Sequence, residues 1–343
     1  MDTTASRGSG RGRPAGVTAR QLFDWRLTFL LLIAASLSAT PEHRYEETRS
    51  AMGTQFTIVA YGPDEARLQA AVSPAFAEIL RLNRQWSDYN TESEISAVNR
   101  RAANRPVQVD SELFTMLETC QRFSKETEGA FDITVGPLLT TWGFFKGAGR
   151  LPANEEVVEA LGRVGWRKLR LNAKNRTVSF AVPGMRLDLG AIGKGYAIDT
   201  AGEALRNAGI KSALLLAGTS SILAVGSAPD GSSWGIDIRD PKDRKKTVEQ
   251  EALKDASLST SGNYEKFFRA GGRTYSHIFD PRTGYPVQHV LSTSVIAPTA
   301  TQTDALSTSF FVMGKQATLC YLTTHPGIRV FFCSDEGCQW LGK

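Results

Sequence analysis

A carboxylate and a hydroxyl lie four residues apart near the end of the chain, in the run Thr303-Asp304-Ala-Leu-Ser-Thr308. If residues 303–313 form a helix, Asp304 and Thr308 lie on one of its faces. Both offer oxygen, and Mg²⁺ usually takes few protein oxygens and completes its shell with water and substrate phosphate. The pair therefore suits a magnesium site. The alternative is an acidic residue that only interacts with the positive end of the helix dipole.

A glycine-rich turn at residues 188–195 reads DLGAIGKG and precedes a predicted helix at residues 195–207. Glycines let the backbone approach a ligand closely, and the free N–H groups at a helix start favour an anion. With Lys194 as a mobile cation, the turn suits a nucleotide or phosphate; the alternative is a plain strand-to-helix turn with a solvated lysine. The glycine spacing matches neither a P-loop nor a Rossmann fingerprint.

Two further segments combine turn residues with side chains that suit catalysis or ring binding. His277 follows a predicted strand and precedes the Asp-Pro-Arg-Thr-Gly turn at residues 280–284. Its imidazole can move a proton near neutral pH, or alternatively only bond to the backbone. Residues 129–138 (GAFDITVGPL) suit a pocket for a flat ring or, alternatively, a loop that faces the core.

The commonest enzyme templates do not fit this sequence. The four histidines lack the HExxH spacing, and no GxSxG nucleophile motif is present. The four cysteines have no histidine partners at zinc spacing, so we expect no zinc site. After export, Cys333 and Cys338 are the pair expected to form a disulfide, whereas Cys120 is predicted to lie in the core.

The elements that must position these residues do not alternate strictly between strand and helix. Strands are predicted at residues 55–61, 177–182, 234–238, 291–296 and 328–332, with two more within 213–225. Helices are predicted at residues 65–85, 111–124 with Ser111 as N-cap, 195–207 and 303–313. This mixture predicts an α+β fold in one compact domain that spans residues 45–343.

The composition is that of an ordinary globular chain, with 41% hydrophobic and 22% charged residues. The net charge of +5 suggests an anionic partner, but five arginines and only two aspartates lie in the first 26 residues. The remainder is nearly neutral, so we expect no nucleic-acid partner. Residues 27–39 form an uncharged apolar run, shorter than the roughly 20 residues of a membrane helix. Residues 1–40 are therefore predicted to be a signal peptide or N-terminal anchor, with a buried core helix as the alternative.

Seven segments, taken together and in order, resemble the ApbE family of FAD:protein FMN transferases. They extend from about residue 50 to residue 314 and include the four segments described above. The other three are Ala51-Met-Gly-Thr54, Trp86-Ser-Asp-Tyr89 and Ser259-Thr-Ser-Gly-Asn-Tyr264. The resemblance implies a single ApbE-like α+β domain of mixed antiparallel sheets with packed helices, in an exported protein.

The resemblance also implies the roles of individual residues. Members of the family bind FAD and Mg²⁺, move the FMN half onto a Thr or Ser hydroxyl of a target protein, and release AMP. The positions that match FAD contacts are Met52, Tyr89, Ala130, Phe131, Asp132, Asp188, Lys194 and Ile278. The metal positions are Ala191, through its backbone carbonyl, Asp304 and Thr308. The position implicated in the transfer step is His277. We expect the rings of Tyr89 and Phe131 to pack against FAD.

Two other functions are compatible with the same residues. A hydrolase would split FAD into FMN and AMP with water as the acceptor, and a non-catalytic protein would only bind and store the flavin. If the chain is a transferase, its expected partner is a flavoprotein that carries the acceptor Thr or Ser, for example a subunit of a membrane redox complex. The expected location is the periplasm or the outer face of the inner membrane, with membrane association through the leader.

Overall fold

The computed structural model describes residues 43–342, and an eight-stranded sheet forms their centre. In spatial order, its strands are β1 (His43–Ala51), β2 (Thr54–Gly62), β6 (Ser212–Ala217), β7 (Ser221–Gly226), β10 (Ser257–Gly262), β13 (Val290–Ala297), β14 (Arg329–Ser334) and β15 (Gly337–Leu341). Every neighbouring pair is antiparallel.

Three smaller antiparallel sheets surround the large one. The first contains β3 (Val107–Gln108), β4 (Leu169–Asn172) and β5 (Thr177–Phe180). The second pairs β8 (Trp234–Arg239) with β9 (Thr247–Leu253), and the third pairs β11 (Phe267–Ala270) with β12 (Arg273–Ser276).

The described residues also contain seven α-helices. They are α1 (Glu65–Trp86), α2 (Glu94–Arg101), α3 (Ser111–Glu126), α4 (Gly136–Thr141), α5 (Asn154–Gly162), α6 (Gly193–Asn207) and α7 (Ala300–Thr324). Helix α1 begins after Asp64, whose side chain accepts a hydrogen bond from the Arg67 amide (3.0 Å). Helix α7 is interrupted at Gly314, where φ is +74°. None of the described helices is both long enough and apolar enough to cross a membrane.

Burial divides the interior into three apolar clusters. Helices α1, α6 and α7 cover one face of the large sheet and share the main core with it. The β8–β9 pair contributes Trp234, Ile236 and Ile238 to a second cluster that includes residues from β7, β10, β13 and β14. A third cluster surrounds the buried ring of Trp142 and reaches the segment that carries His277.

The structure confirms the predicted α+β class and corrects several boundaries. Asp110, not Ser111, caps α3, because its carboxylate accepts the Glu112 amide (2.7 Å). Helix α6 begins two residues earlier than predicted, and α7 continues beyond Gly314. Cys120 is buried, and Cys333 and Cys338 form the expected disulfide. The predicted leader, residues 1–40, lies outside the described residues.

Candidate functional site

The glycine-rich turn connects an extended segment to the start of α6. In that segment Arg186 forms an isolated β-bridge with Val135. The Asp188 carboxylate accepts a hydrogen bond from the Gly190 amide (2.7 Å), which closes the turn. The amide of Asp188 donates to the Ile133 carbonyl (2.8 Å), so the turn is anchored to the 129–138 segment. Burial, reinforced by the charge of Asp88, raises the pKa of Asp188 to about 6.

Asp304, on the first turns of α7, meets this glycine turn directly. Its carboxylate accepts hydrogen bonds from the Gly195 amide (3.0 Å) and from the Ser221 hydroxyl (3.2 Å). The Lys194 ammonium lies 3.2 and 3.4 Å from its two oxygens and also contacts the Gly190 carbonyl at 3.1 Å. Asp304 is only 4% exposed, so these contacts hold a buried charge between two helices and the sheet.

The close approach of α6 and α7 depends on the absence of a side chain at position 195. A β-carbon on Gly195 would lie 2.1 Å from the Ala300 carbonyl oxygen and 2.8 Å from the Asp304 β-carbon. Both atoms belong to the first turns of α7, so relieving this steric clash would require movement of the helix itself. The glycine therefore sets the distance at which the carboxylate reaches the turn.

Replacing Gly195 by Ala is expected to lower the free energy of unfolding by roughly 2–3 kcal/mol, as overpacking of a tight contact does. The matched control is Gly162→Ala at the end of α5, because a β-carbon there would meet nothing within 4 Å. Urea unfolding of both variants measures the difference. Equal stability of the two variants would contradict the close-packing argument.

The donor set around Asp304 fits a hard divalent cation. The Gly195 amide belongs to the first turn of α6, where N–H groups have no acceptor within the helix, and it donates to Asp304. The Ala191 carbonyl directly precedes this helix start, and the Thr308 hydroxyl, one helical turn after Asp304, lies 3.0 Å from the Ser261 hydroxyl. Among residues 43–342 there is no cluster of three His, Cys, Asp or Glu side chains that could hold a metal. A cation here would therefore rely on one carboxylate, with neutral oxygens and water.

A row of buried hydroxyls joins α7 to strand β10 and was not found by sequence reasoning. Thr303 contacts Ser257 (2.9 Å) and Ser259 (2.8 Å), and Ser261 contacts Ser307 and Thr308 (3.0 Å each). The alternation of Ser257, Ser259 and Ser261 along one strand face was the available signal. These bonds fix the rotation of α7 and hence the direction of Asp304 and Thr308.

His277 lies immediately after β12, with its ring partly buried. Its amide donates to the Lys266 carbonyl (3.0 Å), and its Nδ1 lies 3.2 Å from the same oxygen. Nδ1–H is therefore the donor in the neutral ring, which leaves Nε2 as a proton acceptor. Burial, together with the charges of Lys266 and Lys194, lowers the pKa of His277 to about 4.

Tyr89 and Met52 lie on two other segments of the chain, and Tyr89 is near Asp188. The Tyr89 ring is 50% exposed, lies 5.0 Å from the Phe145 ring and has the Lys146 ammonium 5.9 Å from its centroid. Met52 has a positive φ of +48°, and its amide donates to Asn83 Oδ1 (2.8 Å). This turn holds the Met52 side chain partly buried against the main core.

The 130–132 segment and Ile278 lie deeper than expected. Phe131 is 1% exposed and packs edge-on against Phe123 at 5.9 Å, so the predicted stacking of its ring on a flavin has no open face here. Both Asp132 oxygens are occupied, by Thr134 and by the Trp166 amide (2.7 Å). Ala130 and Ile278 are buried as well, so this group supports the walls of the site rather than presenting side chains.

Electrostatic coupling places most of the remaining predicted residues in one neighbourhood. Burial, followed by the charges of Asp88 and Asp188, raises the pKa of Tyr89, and the charge of Lys266 offsets a small part of the raised pKa of Asp188. Lys194 in turn acts on His277 and bonds to Asp304. The Lys194 ammonium thus lies between the Asp304 carboxylate at the start of α7 and the neutral imidazole of His277.

The fold is α+β, and it brings the glycine turn, the start of α6 and the Asp304 carboxylate of α7 together. The model of the ApbE family matches residues 52–332, and the chain belongs to that family.

Relatives and solved structures agree with this assignment. The chain is 31% identical to the FAD:protein FMN transferase of Treponema pallidum over 90% of both chains. It is 35% identical to that of Haemophilus influenzae, covering 78% of this chain and 80% of the relative. The crystal structure of the ApbE protein of Thermotoga maritima superposes with a TM-score of 0.80 at 31% identity, over 87% of this chain and 97% of that one. The flavin transferase ApbE of Vibrio cholerae gives 0.75 at 30% identity, over 88% and 97%.

Proposed function

We propose that this chain is an FAD:protein FMN transferase that requires Mg²⁺ and attaches FMN to a Thr or Ser hydroxyl of an acceptor flavoprotein. The observation that supports this most directly is the contact of the Asp304 carboxylate with the glycine turn at Lys194 and Gly195. That contact brings an oxygen site for a cation against a helix start that favours phosphate. The names of the relatives supply the reaction class.

In this proposal Asp304, Thr308 and the Ala191 carbonyl would hold Mg²⁺, and the chemistry it would supply is neutralisation of charge on the pyrophosphate. The Lys194 ammonium now contacts the Asp304 carboxylate. Its side chain is long and flexible, so it can turn from the carboxylate to a phosphate oxygen when the substrate arrives. The amides at the start of α6 bind and orient the phosphates.

His277 acts as the base in the transfer step. The acceptor hydroxyl oxygen forms a bond to the phosphorus of the FMN half, and the bond from that phosphorus to the bridging oxygen breaks, releasing AMP. The hydroxyl proton passes to His277 Nε2, which is free because Nδ1 is oriented by the Lys266 carbonyl. The lowered pKa keeps the ring neutral and able to accept this proton near pH 7.

The decisive experiment is mass spectrometry of an envelope flavoprotein co-expressed with the enzyme. We expect the mass of one FMN to be added to a Thr or Ser, and the addition to disappear when Mg²⁺ is removed with a chelator. Free FMN and AMP without protein-bound flavin would identify a hydrolase instead. Intact FAD that persists with Mg²⁺ would identify a protein that only binds the flavin.

The proposed location follows from the sequence of residues 1–40, which reads as a signal peptide or anchor. We propose that the enzyme acts in the periplasm or at the outer face of the inner membrane, beside acceptors such as subunits of membrane redox complexes. Cell fractionation of the full chain, with and without the leader, measures this directly.

A further inference from the structure

The β11–β12 hairpin directly precedes the proposed base in the chain. Its two strands pair only with each other among residues 43–342, and Gly271 and Gly272 form the connection with φ of +55° and +75°. A two-residue connection with both φ values positive matches the right-handed twist of a tight hairpin. Strand β12 ends at Ser276, so His277 is the next residue of the chain.

One face of this hairpin is fixed to the third apolar cluster. The rings of Phe268 and Tyr275 stack at 5.2 Å, and both lie near Trp142, at 6.4 and 5.6 Å. Phe268 also lies 5.8 Å from Phe144. Because an isolated two-stranded hairpin is at best marginally stable, this packing is what gives the hairpin a defined position.

The exposed charges of the hairpin carry one sign, with Arg269 on the face of Phe267 and Arg273 at the connection, on the face of Phe268 and Tyr275. Lys266, Arg269 and Arg273 are exposed, and the segment from 266 to 273 contains no acidic residue. None of the three forms an ion pair with another described residue, whereas most other arginines near the site do. Phe267, between two of these cations, is 42% exposed. The Arg269 guanidinium lies 5.8 Å from the Phe267 ring centroid, and an exposed aromatic ring beside cations without carboxylate partners suits a protein-binding surface.

We propose that this hairpin docks an acidic segment of the acceptor flavoprotein, next to the hydroxyl that receives FMN. The inference rests on the proposed transferase function, because a hydrolase has no need of such a surface. The cations attract acidic side chains of the acceptor, and Phe267 packs against its apolar atoms. Since β12 leads directly to His277, a segment held on the hairpin presents its hydroxyl close to the base.

The test compares a double charge reversal, Arg269→Glu with Arg273→Glu, with a matched pair on the β4–β5 hairpin, Arg170→Glu with Lys174→Glu. Both control residues are exposed, and that hairpin lies in a different small sheet. The acceptor is a flavoprotein domain that the wild-type enzyme labels, and attached FMN is read by its fluorescence in denaturing gels. We expect the first pair to raise the KM for the acceptor about tenfold or more, with the KM for FAD unchanged.

Two further measurements separate docking from a general defect. Raising NaCl should raise the acceptor KM of the wild type and of the control pair, but have little effect on the reversed hairpin. Phe267→Ala should raise the acceptor KM several-fold without changing FAD affinity. An unchanged acceptor KM in the reversed hairpin, an equal loss in the control pair, or a parallel loss of FAD affinity would overturn the docking surface. Failure of the wild type to label any acceptor would instead count against the transferase function.

Discussion

Replacing Asp304 by Asn is expected to lower FMN transfer on the order of 10³-fold, because the proposed cation site would lose its carboxylate and a bound metal would supply several kcal/mol of charge stabilisation. The amide is nearly isosteric and can still accept from the Gly195 amide, which bonds to the native carboxylate at 3.0 Å. We also expect a stability loss of roughly 1.5–3 kcal/mol, since Lys194 loses its charged partner. Steady-state transfer assays over a Mg²⁺ titration measure the effect.

Asp199→Asn is the matched control, because Asp199 also connects α6 to the start of α7. Its carboxylate accepts the amides of Ala300 (2.8 Å) and Thr301 (2.7 Å) and does not belong to the proposed cation site. This variant should lose comparable stability yet retain most of its transfer activity below its unfolding temperature. If both variants lose activity equally, Asp304 has a structural role only and the metal assignment fails.

His277→Ala is expected to lower the transfer rate by roughly 10²–10⁴-fold, the range that a general base contributes. FAD affinity should change little, because the imidazole acts on the acceptor hydroxyl. The control is His289→Ala. His289 is exposed, and its Nδ1 lies 3.0 Å from a carboxylate oxygen of Asp335, outside the proposed site. Single-turnover transfer at saturating FAD separates the chemical step from binding, and a native rate in His277→Ala would exclude this residue as the base.

The same base predicts an unusual pH profile. A base works only when unprotonated, and protonation of His277 begins as the pH falls toward its lowered pKa of about 4. The wild-type transfer rate at saturating FAD should therefore remain nearly constant down to about pH 5, where an unperturbed histidine with a pKa of about 6.5 would already be mostly protonated. Protonation of Asp188, whose pKa is about 6, should change the affinity for FAD. Saturating FAD therefore removes its effect from the measured transfer rate. A midpoint near 6.5 would contradict the buried, neutral imidazole.

Local sequence signals predicted the elements whose ends carry strong chemical markers. Helix α1 follows Asp64, and helix α6 follows the glycine turn, so both were predicted to within about two residues. The β11–β12 hairpin was missed, although Gly271-Gly272 between two short β-prone runs is a hairpin signal. Strands β1 and β9 are rich in charged and polar residues and have no clear alternation of apolar positions, so periodicity could not reveal them.

The site depends more on contacts between distant parts of the chain. Spacing within one helix predicted that Asp304 and Thr308 share a face, but their alignment with the glycine turn arises from a contact across 109 residues, at Gly195. No local pattern encodes the distance between α6 and α7. The missing β-carbon at position 195 permits their close contact, but this becomes visible only when both helices are in place. Likewise, the burial of Phe131 is set by its contact with Phe123 on α3, which composition could not indicate.

The disulfide between Cys333 and Cys338 links directly opposite residues of β14 and β15, and β15 is the last strand of the large sheet. An edge strand exposes unpaired backbone N–H and C=O groups to which another chain can bond. The disulfide holds β15 on β14 and so opposes its separation from the sheet. Such ties persist in oxidising compartments and are rarely made in a reducing cytosol. Recombinant protein produced in the cytosol would thus lack the disulfide, and its edge strand β15 would be freer to pair with other chains. The compartment of expression should therefore decide how much of the protein stays monodisperse.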